Sequence, residues 1–406
     1  MGFTRITFTP EQDTEVFGSV PASAGVFVLR GEPGSEPYVS KSSNLRRRLL
    51  RLLSAPDPNS RRLNLRDRVR EIEYALTGSD FESGLVLYEA LRHEFPKTYA
   101  KRLKLRPAPL LRYILENAYP RVSVTTRIAT LRGQSLYYGP FPSRAAAEKF
   151  SNDALDFFKV RRCVDELEPH PSHPGCMYSE MKMCLAPCFK GCTDQEYHEE
   201  VERFREFLDS GGRSLENELS RQREEASANL EFEQAQAIHA KLEKLAPVRQ
   251  QWNEAIHRVD AMRAVIVQPS AEAESVALFY LRGGTIQGPV QFALQLKSAE
   301  HASKPQSMES RIQEALAPLA NDEQSHTVQE MMEHLAYFKR WYYRGSKLGE
   351  VFFADAKGEL PWRRVVRGVS RVYRGEKASP DLTEVARDYW INRGKAATLN
   401  PENYNV

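Results

Sequence analysis

Hydrophobic positions near the start of the chain follow the spacing of short strands first and then that of helices. The apolar run A-G-V-F-V-L at residues 24–29 predicts a buried strand, and the loop after it leads to a second strand over Pro37–Ser40. Ser42 or Ser43 is expected to cap a helix whose leucines share one face. A further helix is predicted from about Ser83 to Phe95. The pattern indicates a small unit in which helices accompany a short sheet.

The middle of the chain changes from short strands to long helices. Alternation with period two around residues 120–140 predicts strands, and a helix is expected through Ala145–Phe158. Residues 214–246 contain neither Gly nor Pro, and their apolar spacing predicts two amphipathic helices with a break near Asn229. Pro247 is expected to end the second helix. This arrangement is typical of a helical hairpin.

Period-two spacing returns after Met262. The segments A-V-I-V and S-V-A-L-F-Y-L, a turn at Gly283 and Gly284, and the segment I-Q-G-P-V-Q-F-A-L predict a β-hairpin or meander. The elements expected after it are helices at 307–318 and 326–344, a strand near Val351–Phe353 and a basic helix at 362–374. The predicted fold class is α+β with several domains.

Composition changes this picture mainly through the cysteines. With 41% hydrophobic and 27% charged residues, the chain can form an ordinary globular core. All of its 5 cysteines fall in one short tract, at Cys163, Cys176, Cys184, Cys188 and Cys192. Cysteines grouped in this way usually hold a metal ion or an iron–sulfur cluster. The alternative is a disulfide framework, which is typical of short secreted domains.

The sequence gives no sign of secretion or of membrane insertion. The N-terminus M-G-F-T-R lacks the basic-then-apolar layout of a signal peptide. No apolar run is long enough to cross a bilayer. The chain is therefore expected to be cytoplasmic and to have no membrane partner.

Charge is distributed unevenly, although the formal net charge is only +3. Basic residues are concentrated in three stretches, at residues 46–70, 97–112 and 340–374. Arginine-rich faces of this kind fit a partner with a phosphate backbone. The alternative is that these residues are solvated helix faces with no ligand.

Three separate segments resemble motifs of one DNA repair family. G-V-F at Gly25–Phe27, with Y-V-S-K at Tyr38–Lys41 and N-L-R-R-R-L after it, resembles a GIY-YIG nuclease domain. Y-Y-G-P-F-P-S at Tyr137–Ser143, followed by the cysteine tract, resembles the cysteine region of UvrC. L-E-F-E-Q-A-Q-A at Leu230–Ala237 resembles the UVR motif of UvrB and UvrC. In this order, over residues 20–250, the segments resemble the excinuclease subunit UvrC and its shorter relative Cho.

The resemblance weakens toward the C-terminus. Residues 259–296 are only weakly similar to the start of the UvrC C-terminal half, and the family's Asp-x-Ser-His segment and paired helix-hairpin-helix are not found. The resemblance implies five segments. The first is a small GIY-YIG-like α/β nuclease domain with a short antiparallel sheet at 1–106, and linker strands with a helical cysteine-cluster region follow at 107–212. A UVR helical hairpin at 213–249, an α/β domain at 250–356 and a basic tail at 357–406 complete the organisation.

The resemblance to GIY-YIG nucleases also implies a catalytic site. Phosphodiester hydrolysis needs an activated water, a cation on the phosphate and donors for the developing charge. By family position, Glu89 would bind Mg²⁺ or Mn²⁺, Arg48 would bind the phosphate, and Lys41 would lie beside the reacting centre. Tyr38 would act as general base once its phenol, with an ordinary pKa of about 10, is eased toward deprotonation. Without the resemblance, these residues are equally typical of helix surfaces and a packed sheet.

Three departures from the family pattern leave two functions open. Phe27 stands where the family has tyrosine, Ser40 replaces a glycine, and Ala100 lies near the place of the family's asparagine. The favoured hypothesis, because Tyr38, Lys41, Arg48 and Glu89 are retained, is a metal-dependent endonuclease that makes a single-strand incision in nucleotide excision repair, as in the SOS response. The second is a catalytically degenerate adaptor that binds DNA and UvrB. The residues expected to bind damaged double-stranded DNA in either case are Arg46, Arg47, Arg51, Lys101 and Arg102.

The resemblance further implies a cofactor and a partner. Cys163, Cys176, Cys184 and Cys188 would hold a [4Fe–4S] cluster with Cys192 spare, and four thiolates also suit zinc. The residues expected to contact a like hairpin on UvrB are Leu230, Phe232 and Ala235. An internal spacer is the alternative for this hairpin.

One further segment mixes aromatic and basic residues, F-K-R-W-Y-Y-R at Phe338–Arg344. Single-strand binders combine these residue types. The favoured interpretation is one amphipathic helix with a buried aromatic face.

Overall fold

The computed structural model describes residues 2–55, 62–129, 133–164, 166–295, 306–321, 326–345 and 347–376. Within these ranges the strands form three antiparallel sheets of four strands each, and helices cover their faces. The predicted fold class, α+β with several domains, is confirmed. Arg61 and residues 377–406, which include most of the predicted basic tail, lie outside the described residues.

The N-terminal unit contains the first sheet, in the order β1-β4-β2-β3. Its strands are β1 (Thr4–Thr7), β2 (Gly25–Arg30), β3 (Tyr38–Ser42) and β4 (Glu71–Leu76). Its helices are α1 (Asp13–Ser19), α2 (Leu45–Leu53), α3 (Asp80–Glu94) and α4 (Tyr99–Leu103). The cap of α2 is Asn44 rather than Ser42 or Ser43, because its side chain accepts the Arg47 N–H. Helix α3 begins earlier than predicted because Ser79 caps it.

The two faces of this sheet are covered by different helices. Successive side chains on a strand point to opposite faces. Phe27 and Tyr74 accordingly belong to the core that includes α1 and α2. Val26 and Ala75, one residue away, belong to the core formed with Val86 and other residues of α3. Helices α2 and α3 therefore lie on opposite sides of the sheet.

The middle unit contains the second sheet, in the order β6-β5-β7-β8. Its strands are β5 (Leu110–Ile114), β6 (Arg121–Thr125), β7 (Leu136–Gly139) and β8 (His257–Arg258). Its helices are α5 (Arg144–Leu155), α6 (Met177–Glu180), α7 (Asp194–Asp209), α8 (Arg213–Ala228) and α9 (Phe232–Gln251). Stacked and edge-on rings of Phe150, Phe158, Phe204 and Phe207 form much of its core. Strand β5 was not predicted, because a basic stretch containing two prolines leads into it.

Helices α8 and α9 form the predicted hairpin, which docks on the middle unit. Leu215 and Leu219 of α8 and Ile238, Leu245 and Val248 of α9 all belong to the same core as α5 and α7. The prediction that Pro247 ends α9 is wrong, since the helix continues to Gln251. A proline inside a helix costs about 3 kcal/mol. Burial of Leu245 and Val248 on either side of it offsets this cost.

The C-terminal unit contains the third sheet, in the order β11-β10-β9-β12. Its strands are β9 (Arg263–Pro269), β10 (Ser275–Arg282), β11 (Thr285–Ala293) and β12 (Glu350–Phe353). Its helices are α10 (Met308–Ala320), α11 (Val328–Tyr342) and α12 (Trp362–Tyr373). Helices α10 and α12 cover one face and α11 covers the other. The expectation that α11 is amphipathic with a buried aromatic face is confirmed, since Phe338 and Trp341 are buried.

Helix α3 is also packed against the C-terminal unit. The Phe81 ring lies 4.9 Å from the Trp341 ring and 5.1 Å from the Phe279 ring, measured between centroids. Gly84 lets α11 approach closely, since a Cβ atom there would lie 1.0 Å from the phenol oxygen of Tyr337. One helix is thus held between its own sheet and a second unit of the chain.

We predict that Gly84→Ala lowers the free energy of unfolding by about 3 kcal/mol, because the added methyl overpacks the contact with Tyr337. Thermal melting of both proteins measures the loss. The matched control is Gly18→Ala in α1, where nothing lies within 4 Å of the new atom. In a Tyr337→Leu background the same change should cost much less. An equal loss for Gly84→Ala and Gly18→Ala would contradict the prediction.

Candidate functional site

Two of the predicted nuclease residues meet on the α2 side of the first sheet. Arg48 Nη2 of α2 donates a hydrogen bond of 3.1 Å to the phenol oxygen of Tyr38 on β3. The Phe27 ring lies 6.1 Å from the Tyr38 ring, so a phenyl group occupies the position of the family's first tyrosine. Ser40 lies directly opposite Phe27 in the β2–β3 ladder. This face presents one phenol and one guanidinium.

Lys41 takes part in a different contact. Its Nζ atom donates to Asp80 Oδ1 at 2.5 Å, and Asp80 Oδ2 accepts from Arg344 Nη1 at 2.7 Å. Burial raises the pKa of Asp80, but the hydrogen bond from Lys41 and the charge of Arg344 outweigh burial, so that the pKa lies below its usual value. The charge of Lys41 is therefore used at the junction between α3 and the C-terminal unit.

Glu89 projects from α3, on the side of the sheet opposite Tyr38 and Arg48. Its side chain is exposed, between the sheet-facing Val86 and the α11-facing Tyr88. Desolvation by the surrounding protein raises the pKa of Glu89 above its usual value, although the charge of Arg92 acts in the opposite direction. The structure therefore brings Tyr38 and Arg48 together and places Lys41 and Glu89 elsewhere. Ala100 lies on α4, at the surface.

The residues predicted to bind DNA divide into two groups. Arg46 Nε donates to the Val20 carbonyl at 2.7 Å, and Arg102 donates to Glu36 at 2.6 Å while its guanidinium lies over the Phe95 ring. These two side chains support local structure. The residues of this set whose side chains extend into solvent are Arg47, Arg51 and Lys101.

The five cysteines are free thiols along the loops between α5 and α7. Burial, together with the nearby thiols of Cys163, Cys188 and Cys176, raises the pKa of Cys184 to about 11. The sulfur of Cys184 accepts the Ala186 N–H at 3.3 Å. The four thiols assigned to a cluster by the resemblance are thus neighbours in space.

Two further features bear on whether this tract fits a metal group. Lys182, Ala186 and Lys190 have positive φ angles of 57°, 56° and 58°, a conformation that costs non-glycine residues roughly 1–2 kcal/mol each. Such strain is concentrated at ligand sites and turns. Across the described ranges, no three His, Cys, Asp or Glu side chains converge closely enough to hold a metal ion. The donor chemistry fits a cluster, and the loops would have to close further around it.

The turn between α8 and α9 exposes large apolar side chains. Leu230 is 72% exposed and Phe232 is 65% exposed, while Ala235 is partly buried in the hairpin. Leu230 has a positive φ of 62°, which places its side chain at the tip of the turn. Glu231 and Glu233 flank the apolar pair. The tip is an apolar knob with an acidic border.

Sequence reasoning missed two residues at the junction of α3 with the C-terminal unit. Asp80 binds both Lys41 and Arg344, and its position in the first turn of a helix predicts only a favourable charge near the N-terminus. Gln268 is fully buried in β9. The sequence feature that could have indicated Gln268 is a lone polar residue directly after the apolar run A-V-I-V, within the same strand.

Comparisons of the sequence with known proteins point to one family. Residues 109–207 match the family model described as UvrC/Cho excinuclease, middle domain. Residues 109–207 are thus similar to the middle domain of the UvrC/Cho excinucleases, and the resemblance to this family that the sequence motifs indicated is confirmed.

Several curated relatives carry the name UvrABC system protein C. The protein of Aliivibrio fischeri is 26% identical over 244 residues, which cover 60% of this chain and 40% of that protein. The protein of Carboxydothermus hydrogenoformans is 29% identical over 66% of this chain and 44% of the relative. The protein of Alcanivorax borkumensis is 30% identical over 56% and 37%, respectively. The match thus spans less than half of each relative.

No solved structure matches the chain. Among the described residues, no helix is both long enough and apolar enough to span a membrane.

Proposed function

We propose that this chain acts in nucleotide excision repair as a UvrC-like adaptor that binds damaged double-stranded DNA and UvrB, without incising DNA through its N-terminal unit. The observation that carries the proposal is that Glu89 belongs to α3, which packs on the face of the first sheet opposite the face that carries α2 and Arg48. The role in repair is supported by the UvrC/Cho middle domain and the UvrC relatives.

Groups that act on one phosphate have to lie close together. A misplacement of about 1 Å can lower the rate of an enzymatic step by about 100-fold. Here the carboxylate assigned to the metal projects from α3, whereas the phenol and guanidinium lie on the α2 side. Lys41 is paired with Asp80, and Phe27 supplies no hydroxyl. The division of the side chains assigned by the resemblance between two sides of the sheet supports a role without incision.

A metal-dependent endonuclease using Mg²⁺ or Mn²⁺ is the second candidate. The hydrogen bond between Arg48 and Tyr38 favours it, because it holds a guanidinium that can bind a phosphate next to the phenol. In this candidate α3 would have to present Glu89 to the other face, and its packing against α11 opposes such a rearrangement.

Two surfaces support the binding roles. The tip of the UVR-like hairpin exposes Leu230 and Phe232 next to acidic residues, and paired apolar side chains of this kind are suited to a complementary hairpin on UvrB. On α2, Arg47 and Arg51 are one helical turn apart and exposed, so that both can contact neighbouring phosphates of one DNA strand. Lys101 is an exposed cation on α4, separate from this pair.

The cysteine tract supports a structural [4Fe–4S] cluster, with zinc as the alternative. Cys163, Cys176, Cys184 and Cys188 would supply the thiolates, and Cys192 would remain outside the set. A bound cluster or zinc ion would cross-link the loops between α5 and α7 and thereby stabilise the middle unit. The strained backbone at Lys182 and Ala186 is consistent with a loop shaped for this purpose.

Purified protein is expected to leave damaged duplex DNA uncut in Mg²⁺ or Mn²⁺, with or without UvrA and UvrB. The assay compares the wild type with Glu89→Ala and Tyr38→Phe by gel electrophoresis of an end-labelled duplex. All three proteins should give the background level of nicks. Nicking by the wild type that either substitution abolishes would establish the endonuclease instead.

Replacing the apolar tip should weaken docking on UvrB. We expect Leu230→Ser and Phe232→Ser to weaken capture of UvrB at least tenfold, since each removes an exposed apolar contact without disturbing the core. The matched control is Leu63→Ser, which changes a leucine that is 54% exposed in the N-terminal unit. Titration of labelled UvrB measures the affinities. If both tip variants bind as the wild type does, the hairpin is only a spacer.

Protein purified without oxygen is expected to be brown, with absorption near the blue–violet edge that Cys184→Ser removes. The same substitution should lower the melting temperature more than Cys192→Ser, the matched control outside the predicted set. Absorption spectra, metal analysis and thermal melting are the measurements. A colourless protein with stoichiometric zinc would show that the site binds zinc and no cluster. A protein without metal would contradict both assignments.

A further inference from the structure

A cavity of about 290 Å³ lies at the junction between α3 and the C-terminal unit. It is bounded by the first turn of α3, by the end of β9 and by the C-terminal end of α11. Aromatic side chains form part of its wall, including Phe81 and Trp341. Its volume is close to the lower limit of small-molecule sites, roughly 300 Å³.

Gln268 is a buried polar residue in the wall of this cavity. The side chain is fully buried on the face of β9 that also carries Ala264 and Ile266. Neither its Nε2 nor its Oε1 atom has a hydrogen-bond partner within the part of the chain that the structure describes. A buried polar atom without a partner costs roughly 1–3 kcal/mol. An amide in this state is suited to a ligand that offers a donor and an acceptor side by side.

The wall of the cavity is also strongly basic. Arg340, Arg344 and Lys347 line it, and Asp80 is the acidic residue that faces them. The Lys347 Nζ atom lies 5.7 Å from the centroid of the Trp341 ring. Asp80 is already shared between Lys41 and Arg344. An excess of positive charge remains for an anionic group.

These features are the three that a nucleotide requires: a donor and acceptor pair for a base edge, aromatic surface for its ring, and cations for its phosphate. We propose that the cavity binds a nucleoside 5′-phosphate, with the base edge at the Gln268 carboxamide, the ring beside Trp341, and the phosphate at Arg340, Arg344 and Lys347. The ligand is either an unstacked nucleotide of a single DNA strand or a free nucleotide. Unstacked bases are the form in which single strands are read.

The proposal deepens the DNA-binding role and rests on it for the biological source of the ligand. It does not depend on the hairpin, because the tip at Leu230 and Phe232 is part of a different unit. Binding of mononucleotides to the cavity and capture of UvrB by the tip are therefore separate measurements. A negative result in one of these measurements does not contradict the other proposal.

The test is direct binding by the full chain of each deoxynucleoside monophosphate, of inorganic phosphate, and of a short labelled single-stranded oligothymidine. Gln268→Met should weaken binding of the nucleotides or of the oligonucleotide at least tenfold. Its melting temperature should stay equal or rise, because the substitution removes two unpaired polar atoms and keeps the side-chain length. This stability measurement separates a lost ligand contact from a misfolded protein.

Arg340→Ala should also weaken binding at least tenfold and reduce its dependence on salt. The matched control is Arg367→Ala on the exposed side of α12, which should leave affinity unchanged. Tight binding of the monophosphates identifies a free nucleotide, and binding of the oligonucleotide alone identifies a DNA strand; either supports the proposal. It is overturned if no probe binds, if phosphate competes as well as the nucleotides do, or if Gln268→Met binds like the wild type.

Discussion

The packing of helix α3 between two units of the chain is the constraint on which the rest of the structure depends. One side of the helix contributes Val86 and Ala90 to the core of the N-terminal sheet. The other side contributes Phe81 and Leu85 to the core of the C-terminal unit. Gly84 makes this close contact possible because it has no Cβ atom to meet Tyr337. A helix that is buried on two sides has little freedom to reorient the residues it carries.

This constraint explains where the charged residues act. Lys41 and Arg344 come from different units and meet at Asp80, in the first turn of α3. The same contact forms the cavity in which Gln268 is buried. Glu89, in contrast, lies on the remaining exposed strip of the helix. The contacts at this junction therefore favour a binding role over hydrolysis. This is consistent with the proposed UvrC-like adaptor.

The middle of the chain is the part in which sequence, structure and family agree best. The family model covers residues 109–207, and these residues form a sheet whose core of aromatic rings is continuous with the helical hairpin. Neighbouring thiols and strained turns in the same segment are consistent with a bound metal group. The apolar tip of the hairpin projects away from this core. The middle unit thus combines the segment that matches the family with a hairpin whose tip is exposed.

The sequence by itself determined the main strands, the hairpin and the cysteine tract, because hydrophobic spacing and residue grouping are local properties. It did not determine that Asn44, and neither Ser42 nor Ser43, caps α2. It also did not determine that α9 continues through Pro247, because burial in the tertiary structure stabilises that part of the helix. Family position indicated Tyr38, Lys41, Arg48 and Glu89 as one site. Only the tertiary structure decided which of them meet, because residues on neighbouring positions of a strand point to opposite faces and a helix can pack on either one.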